Sequence, residues 1–135
     1  MGRSLLILLD TNVVLWVAFD ADRLSKKAKE TIEEARRTGQ GLAISDMTLL
    51  ELAMLASKKR IRLDVSAEGF LSQVETSFSV LPMNAQICTC AFALPPRYLK
   101  DPADRIIAAT ALVEGLKLIT ADREIRKSGV VPTIW

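Results

Sequence analysis

Apolar residues in this chain form two kinds of pattern: short unbroken runs, and longer stretches repeating at three and four. The first run is Leu5-Leu6-Ile7-Leu8-Leu9, which stops abruptly at Asp10-Thr11-Asn12. A continuous apolar run of that length predicts a strand buried on both faces, hence a parallel sheet covered by helices. A short apolar helix is predicted over residues 13–19. Ser25 then caps a helix running to Arg37, with Leu24, Ala28, Ile32 and Ala35 on one stripe and Gly39 as its stop. Residues 41–44 read as a second strand, and Ser45 or Asp46 caps a helix carrying Leu49, Leu50, Glu51, Leu52 and Leu55.

A basic turn, Lys58-Lys59-Arg60-Ile61-Arg62, leads to a helix over residues 67–75 and a strand over residues 78–81, closed by Pro82. Asn84 caps a helix with Ile87, Cys88, Ala91 and Leu94 inward, ended by Pro95-Pro96. Asp101-Pro102 opens another helix, aspartate at the cap and proline at the first helical position. That helix, to Glu114, is apolar almost all round, which makes it central. Residues 116–120 form a fourth buried strand, and a short helix and a last strand finish the chain. Alternating strands and helices predict an α/β fold, a three-layer α/β/α sandwich with a mainly parallel sheet.

Composition narrows this further. A chain of 135 residues with 50% hydrophobic and only 5% aromatic content builds its core from Leu, Ile, Val and Ala. With no repeat or linker, residues 1–135 read as a single domain. The net charge of +2 is too small to demand a polyanionic partner, although a basic rim can hide around an acidic centre. Cys88 and Cys90, two apart on a helix, cannot bridge each other and read as small buried apolar residues of a reducing compartment. Asp10 and Asn12 interrupt the apolar N-terminal stretch, so neither a signal peptide nor a membrane span is expected. The expected setting is cytoplasmic.

The candidate chemistry is carboxylate chemistry. In open parallel sheets, sites form beyond the carboxyl ends of the strands. The first and fourth strands run into Asp10 and Asp122 there. Glu51 lies in a segment otherwise apolar enough to be buried, and Asp104 in the first turn of the apolar helix, where the dipole favours an anion. Singly, Asp10 reads as a turn residue, Asp104 as a dipole charge and Asp101 as a helix cap, whereas Glu51 is harder to dismiss, because an unpaired buried glutamate is rare. Together they form an all-oxygen set whose mutual repulsion a divalent cation would relieve, and hard ligands suit magnesium or manganese. The chain has no histidine, which excludes histidine-based 2′-hydroxyl cleavage, Ser-His-Asp hydrolysis and zinc His-Glu-x-x-His chemistry.

Four segments carry a family resemblance. They are Leu8-Leu9-Asp10-Thr11-Asn12, Thr48-Leu49-Leu50-Glu51-Leu52, the stretch from Asp101-Pro102-Ala103-Asp104-Arg105 through Ala111, and Leu118-Ile119-Thr120-Ala121-Asp122. In order and spacing they resemble the motif blocks of PIN domains, in particular VapC-like toxins of toxin–antitoxin pairs. The resemblance implies a metal-dependent endoribonuclease, with Asp10, Glu51, Asp104 and Asp122 as catalytic and metal-holding acids. It makes Thr11, Asn12 and Thr120 supporting polar neighbours, and Asp101 an accessory acid. Its implied partners are an RNA substrate, a cognate antitoxin and a second copy of the chain in a homodimer.

Such a set would hold one or two Mg2+ or Mn2+ ions, acidify a bound water and neutralise charge on the phosphate. In-line attack displacing the 3′ oxygen would leave 5′-phosphate and 3′-hydroxyl ends. Substrate contacts are expected from Arg105 and Arg123, each directly following a quartet acid, with Arg126 and the run from Lys58 to Arg62 as further candidates. For that run, a solvated helix end complementing the dipole is the favoured reading. The alternatives are weaker. A receiver domain needs an acid pair after the first strand, and a haloacid-dehalogenase-like phosphatase needs Asp-x-Asp where Asn12 stands. A non-catalytic PIN-like module that binds only RNA or protein is the remaining alternative.

Overall fold

The computed structural model describes residues 6–95 and 99–135. Its elements follow the alternation in the sequence. In chain order they are β1 (Ile7–Leu9), α1 (Thr11–Phe19), a single 3-10 turn (Ala21–Arg23), α2 (Lys26–Thr38), β2 (Leu42–Ser45) and α3 (Asp46–Ser57). Then come α4 (Ala67–Ser77), β3 (Ser79–Leu81), α5 (Ala85–Ala93), α6 (Pro102–Glu114), β4 (Leu118–Ile119), α7 (Arg123–Ser128) and β5 (Thr133–Ile134). The strands lie in the order β3-β2-β1-β4-β5, and every neighbouring pair is parallel.

Alternation along the strands sorts the core into layers. Ile7 and Leu9 of β1, Leu42 and Ile44 of β2 and Ile119 of β4 pack with α1, α2 and α4. Leu8, Ala43 and Leu118, one residue out of step, pack with Ile107, Ala108 and Ala111 of α6 and Ile125 of α7. Helices thus cover both faces of the sheet. Helix starts obey the caps read from sequence: Ser25 accepts from the Ala28 amide at 3.0 Å, and Asn84 from the Ile87 amide at 2.8 Å. Gly39 and Gly115 end α2 and α6 with φ of 78° and 70°, a conformation that favours glycine.

Two expectations change. The first and fourth strands are shorter than their apolar runs, because only residues inside the ladder pair. Leu5 and Pro96 lie outside the described residues. Cys88 and Cys90 are half-buried free thiols rather than core residues. The α5 helix packs on α6 through Ile87, Ala91, Ile106 and Ala109, which leaves Cys88 at the edge of that cluster and Cys90 at the edge of both it and the cluster under the sheet.

Strand order determines where a site can form. From β1 the chain moves to β2 on one side, and the later crossover brings β4 to the other side. The carboxyl ends of β1 and β4 therefore open on a switch point, where a crevice forms between the diverging connections.

Candidate active site

Asp10 leaves β1 and caps α1 with extended backbone. It is only 7% exposed. One carboxylate oxygen accepts from the Thr11 amide at 2.8 Å, and the other from the Thr120 hydroxyl at 2.7 Å. Thr120, fully buried just past β4, also receives the Asp122 amide on its hydroxyl at 3.0 Å. A single threonine thus ties together the two acids that end adjacent strands. Asp122 in turn caps α7, accepting from the Glu124 and Ile125 amides at 2.8 and 3.2 Å. Asp101 caps α6 on the Ala103 amide at 2.8 Å, and Asp104 stands in the first turn of the same helix.

Glu51 approaches from α3. Its Oε1 accepts from the Thr11 hydroxyl at 2.5 Å, and the Thr48 hydroxyl lies 3.0 Å from that same Thr11 oxygen. The Thr11 proton is used on Glu51, so Thr48 donates to Thr11. Thr48 is fully buried and sits three residues before Glu51, on the same face of α3. Sequence reasoning passed over it. The signal was that spacing, a hydroxyl one helical turn before a buried acid.

A cavity of about 430 Å³ collects these groups: Asp10, Thr11, Asn12, Glu51, Asp101, Asp104 and Asp122 all line it. Electrostatics express the same convergence. Asp104 is pushed up from 3.8 to about 7, first by burial and then by repulsion from Asp10, Asp101, Asp122 and Glu51. Burial likewise raises Asp10, opposed by its bonds to Thr120 and Thr11, and raises Glu51, opposed by Thr11. Among the described residues no three carboxylates close on one point as they stand. They ring the cavity, with no charged partner in an ion pair: the one salt bridge among those residues is Arg37–Glu34, on the surface of α2. An all-oxygen donor set under mutual repulsion fits a hard divalent cation.

The basic residues are distributed differently from expectation. Arg105 is 7% exposed, and its guanidinium donates to the carbonyls of Ala91, Leu94 and Pro95 at 2.9, 2.9 and 3.2 Å. It clamps the end of α5 to α6, and a group used up on buried carbonyls is not available to RNA. Arg123 is exposed, in a shallow depression with Arg126 and Lys127 on α7 rather than in the acidic cavity. Lys58 and Arg60, from the run read as a solvated helix end, do line that cavity, beside Met54 and Leu55.

A five-stranded parallel sheet with acids gathered at the β1/β4 switch point defines a class, and comparison agrees. The PIN domain sequence pattern matches residues 7–130, and the chain belongs to the PIN domain family. Ribonuclease VapC22 of Mycobacterium tuberculosis is 36% identical to it over 120 residues, 89% of either chain. The fold is shared with VapBC2 from Rickettsia felis, solved bound to a DNA fragment from their promoter. There the TM-score is 0.69 at 18% identity, covering 95% of this chain and 96% of that one. A toxin–antitoxin complex from Klebsiella pneumoniae superposes with a TM-score of 0.66 at 24% identity, covering 93% and 94%.

Proposed function

We propose that the protein is a magnesium- or manganese-dependent endoribonuclease and the toxin of a toxin–antitoxin pair, acting in the cytoplasm as one catalytic unit over residues 1–135. The observation that carries this reading is the convergence of Asp10, Glu51, Asp104 and Asp122, with Asp101, on one cavity at the strand ends. Relatedness to a protein named as a ribonuclease supports it. Asp10, Glu51, Asp104 and Asp122 would hold the cation, which when bound supplies a Lewis acid for the phosphodiester and an acidified water.

The chain's own residues supply orientation. Thr120 and the Thr11 amide fix both oxygens of Asp10, and Thr48 acting through Thr11 fixes Glu51. Asp101 and Asp122 each commit one oxygen to a helix cap, which sets the aim of the carboxylate. Groups held in this way need little rearrangement when a charge arrives. Solved toxin–antitoxin neighbours support a cognate antitoxin as partner. The exposed Phe92 and Leu112 on α5 and α6 support a homodimer.

The test is cleavage of RNA by the purified protein in Mg2+ or Mn2+, repeated with EDTA and with Asp10→Asn. Activity should disappear in both controls, leaving less than about one per cent of the wild-type rate. Cleavage that persists under chelation, or is equal in the variant, refutes the assignment.

A further inference from the structure

A second cavity, of about 410 Å³, adjoins the acidic one, and Asn12 and Arg60 line both. Its character is opposite. It is walled by Leu15, Trp16 and Phe19 of α1, by Arg23, and by the stretch Arg60-Ile61-Arg62, with Asp20 as its one acid. Among the described residues none of Arg23, Arg60 and Arg62 is in an ion pair. We propose that this groove carries the single-stranded RNA flanking the scissile phosphate, phosphates on the arginines and a base against the aromatic wall. The proposal rests on the ribonuclease reading and specifies how its substrate is held.

The arginines stand on a built surface rather than a loose helix end. At the end of α3 the amides of Lys59 and Arg60 bond back to the carbonyls of Ala56 and Leu55 at 3.1 and 2.9 Å, and Lys59 adopts φ of 56°, unusual for a non-glycine residue. The chain then runs with alternating character. Ile61 and Leu63 pack against the main core, which points Arg60 and Arg62 outward. Arg23 lies over the Trp16 ring at 4.8 Å, a stacking that leaves the in-plane N–H groups of a guanidinium free for phosphate oxygens. Phe19 packs on Phe70 with ring centroids 5.3 Å apart yet remains 49% exposed beside it, aromatic surface of the kind on which unpaired bases stack.

Charge sequence favours RNA over a protein segment. The acidic cavity, where five carboxylates outnumber Lys58 and Arg60, disfavours phosphates other than one that a cation bridges. The neighbouring groove, continuous with it, supplies the positive charge that the next phosphates need.

The test is binding of a fluorescein-labelled single-stranded RNA decamer to the full chain in EDTA, followed by anisotropy between about 50 and 200 mM salt. Each phosphate neutralised contributes about 0.7 to the salt slope on single strands. Arg23→Gln with Arg62→Gln should flatten the slope by about 1.4 and weaken binding roughly tenfold, and Arg62→Gln alone by about half of that slope. Lys26→Gln with Lys27→Gln, both exposed in the first turn of α2, should leave slope and affinity unchanged. An unchanged slope in the arginine variants overturns the proposal and assigns the groove to a protein segment. Cleavage in Mg2+ is scored separately: wild-type cleavage with an unchanged slope removes the groove alone, and arginine-dependent binding without cleavage removes the nuclease alone.

Discussion

Carboxylates at this site are controlled by threonines. Asp10 and Glu51 sit in surroundings that disfavour their charge; the Thr120 hydroxyl and Thr11 amide oppose that effect at Asp10, the Thr11 hydroxyl opposes it at Glu51, and Thr48 holds that Thr11 hydroxyl in turn. Thr48 touches neither cavity nor substrate, so it is a positioning residue acting through Thr11. Replacing it with the isosteric valine removes one buried donor and frees the Thr11 hydroxyl to turn from Glu51. Thr48→Val should lower kcat roughly tenfold with KM little changed, and Thr48→Ser should restore it, the size of effect expected of a group that orients a ligand if Glu51 holds the proposed cation. Steady-state RNA cleavage with the three proteins decides this, and a valine variant as fast as wild type counts against the relay. Thr11 was legible because it neighbours Asp10. Thr48 was not, because its importance lies in which face of α3 it shares with Glu51.

At the scale of elements, the join between α5 and α6 is the least expected feature. A positive charge directly after Asp104 reads in sequence as a substrate contact. Instead Arg105 enters the core and ends α5, its planar fork reaching three carbonyls that α5 and its exit cannot satisfy themselves. Arg105→Met keeps much of the packing but strands those carbonyls, and should cost about 2–4 kcal/mol in urea unfolding. Arg123→Met, on exposed α7, should stay within about 0.5 kcal/mol. Equal losses in the two variants would show that the clamp contributes nothing. Because Arg105 adjoins Asp104, α6 is held by the same residue that follows its site acid.

For the molecule as a whole, a net charge of +2 conceals a strongly separated distribution, with five acids around one cavity and arginines beside it. This makes stability depend on pH and metal together. The folded pKa of Asp104, about 7, lies above its ordinary 3.8, so the folded state holds that proton more tightly than the unfolded chain. The stabilisation from that proton is complete below about pH 4 and is lost as pH rises through 7. Metal-free protein should therefore melt at a lower temperature at pH 8 than at pH 5, and Asp104→Asn should flatten that difference. A cation bound at about a hundred times its Kd should restore about 2.7 kcal/mol at pH 8, with less gained at pH 5, where protons compete for the ligands. Thermal melts with EDTA and with Mg2+ at the two pH values test this. A metal-free melting point that rises with pH contradicts the sign.

The linear order of residues determined the layers. Apolar runs too long and unbroken for a one-sided sheet demand cover on both faces, and caps such as Ser25, Asn84 and Asp101 mark helix starts by local hydrogen bonding alone. It also singled out the four acids, because charge beside buried strands and within apolar helices is costly wherever the chain goes. Which basic groups surround them was decided only in three dimensions. Arg105 turned inward to carbonyls ten to fourteen residues away, while Arg60 was carried to the mouth of the cavity by the packing of Ile61 and Leu63. The same guanidinium can satisfy a buried carbonyl or meet a phosphate, and only the neighbours that folding supplies choose between them.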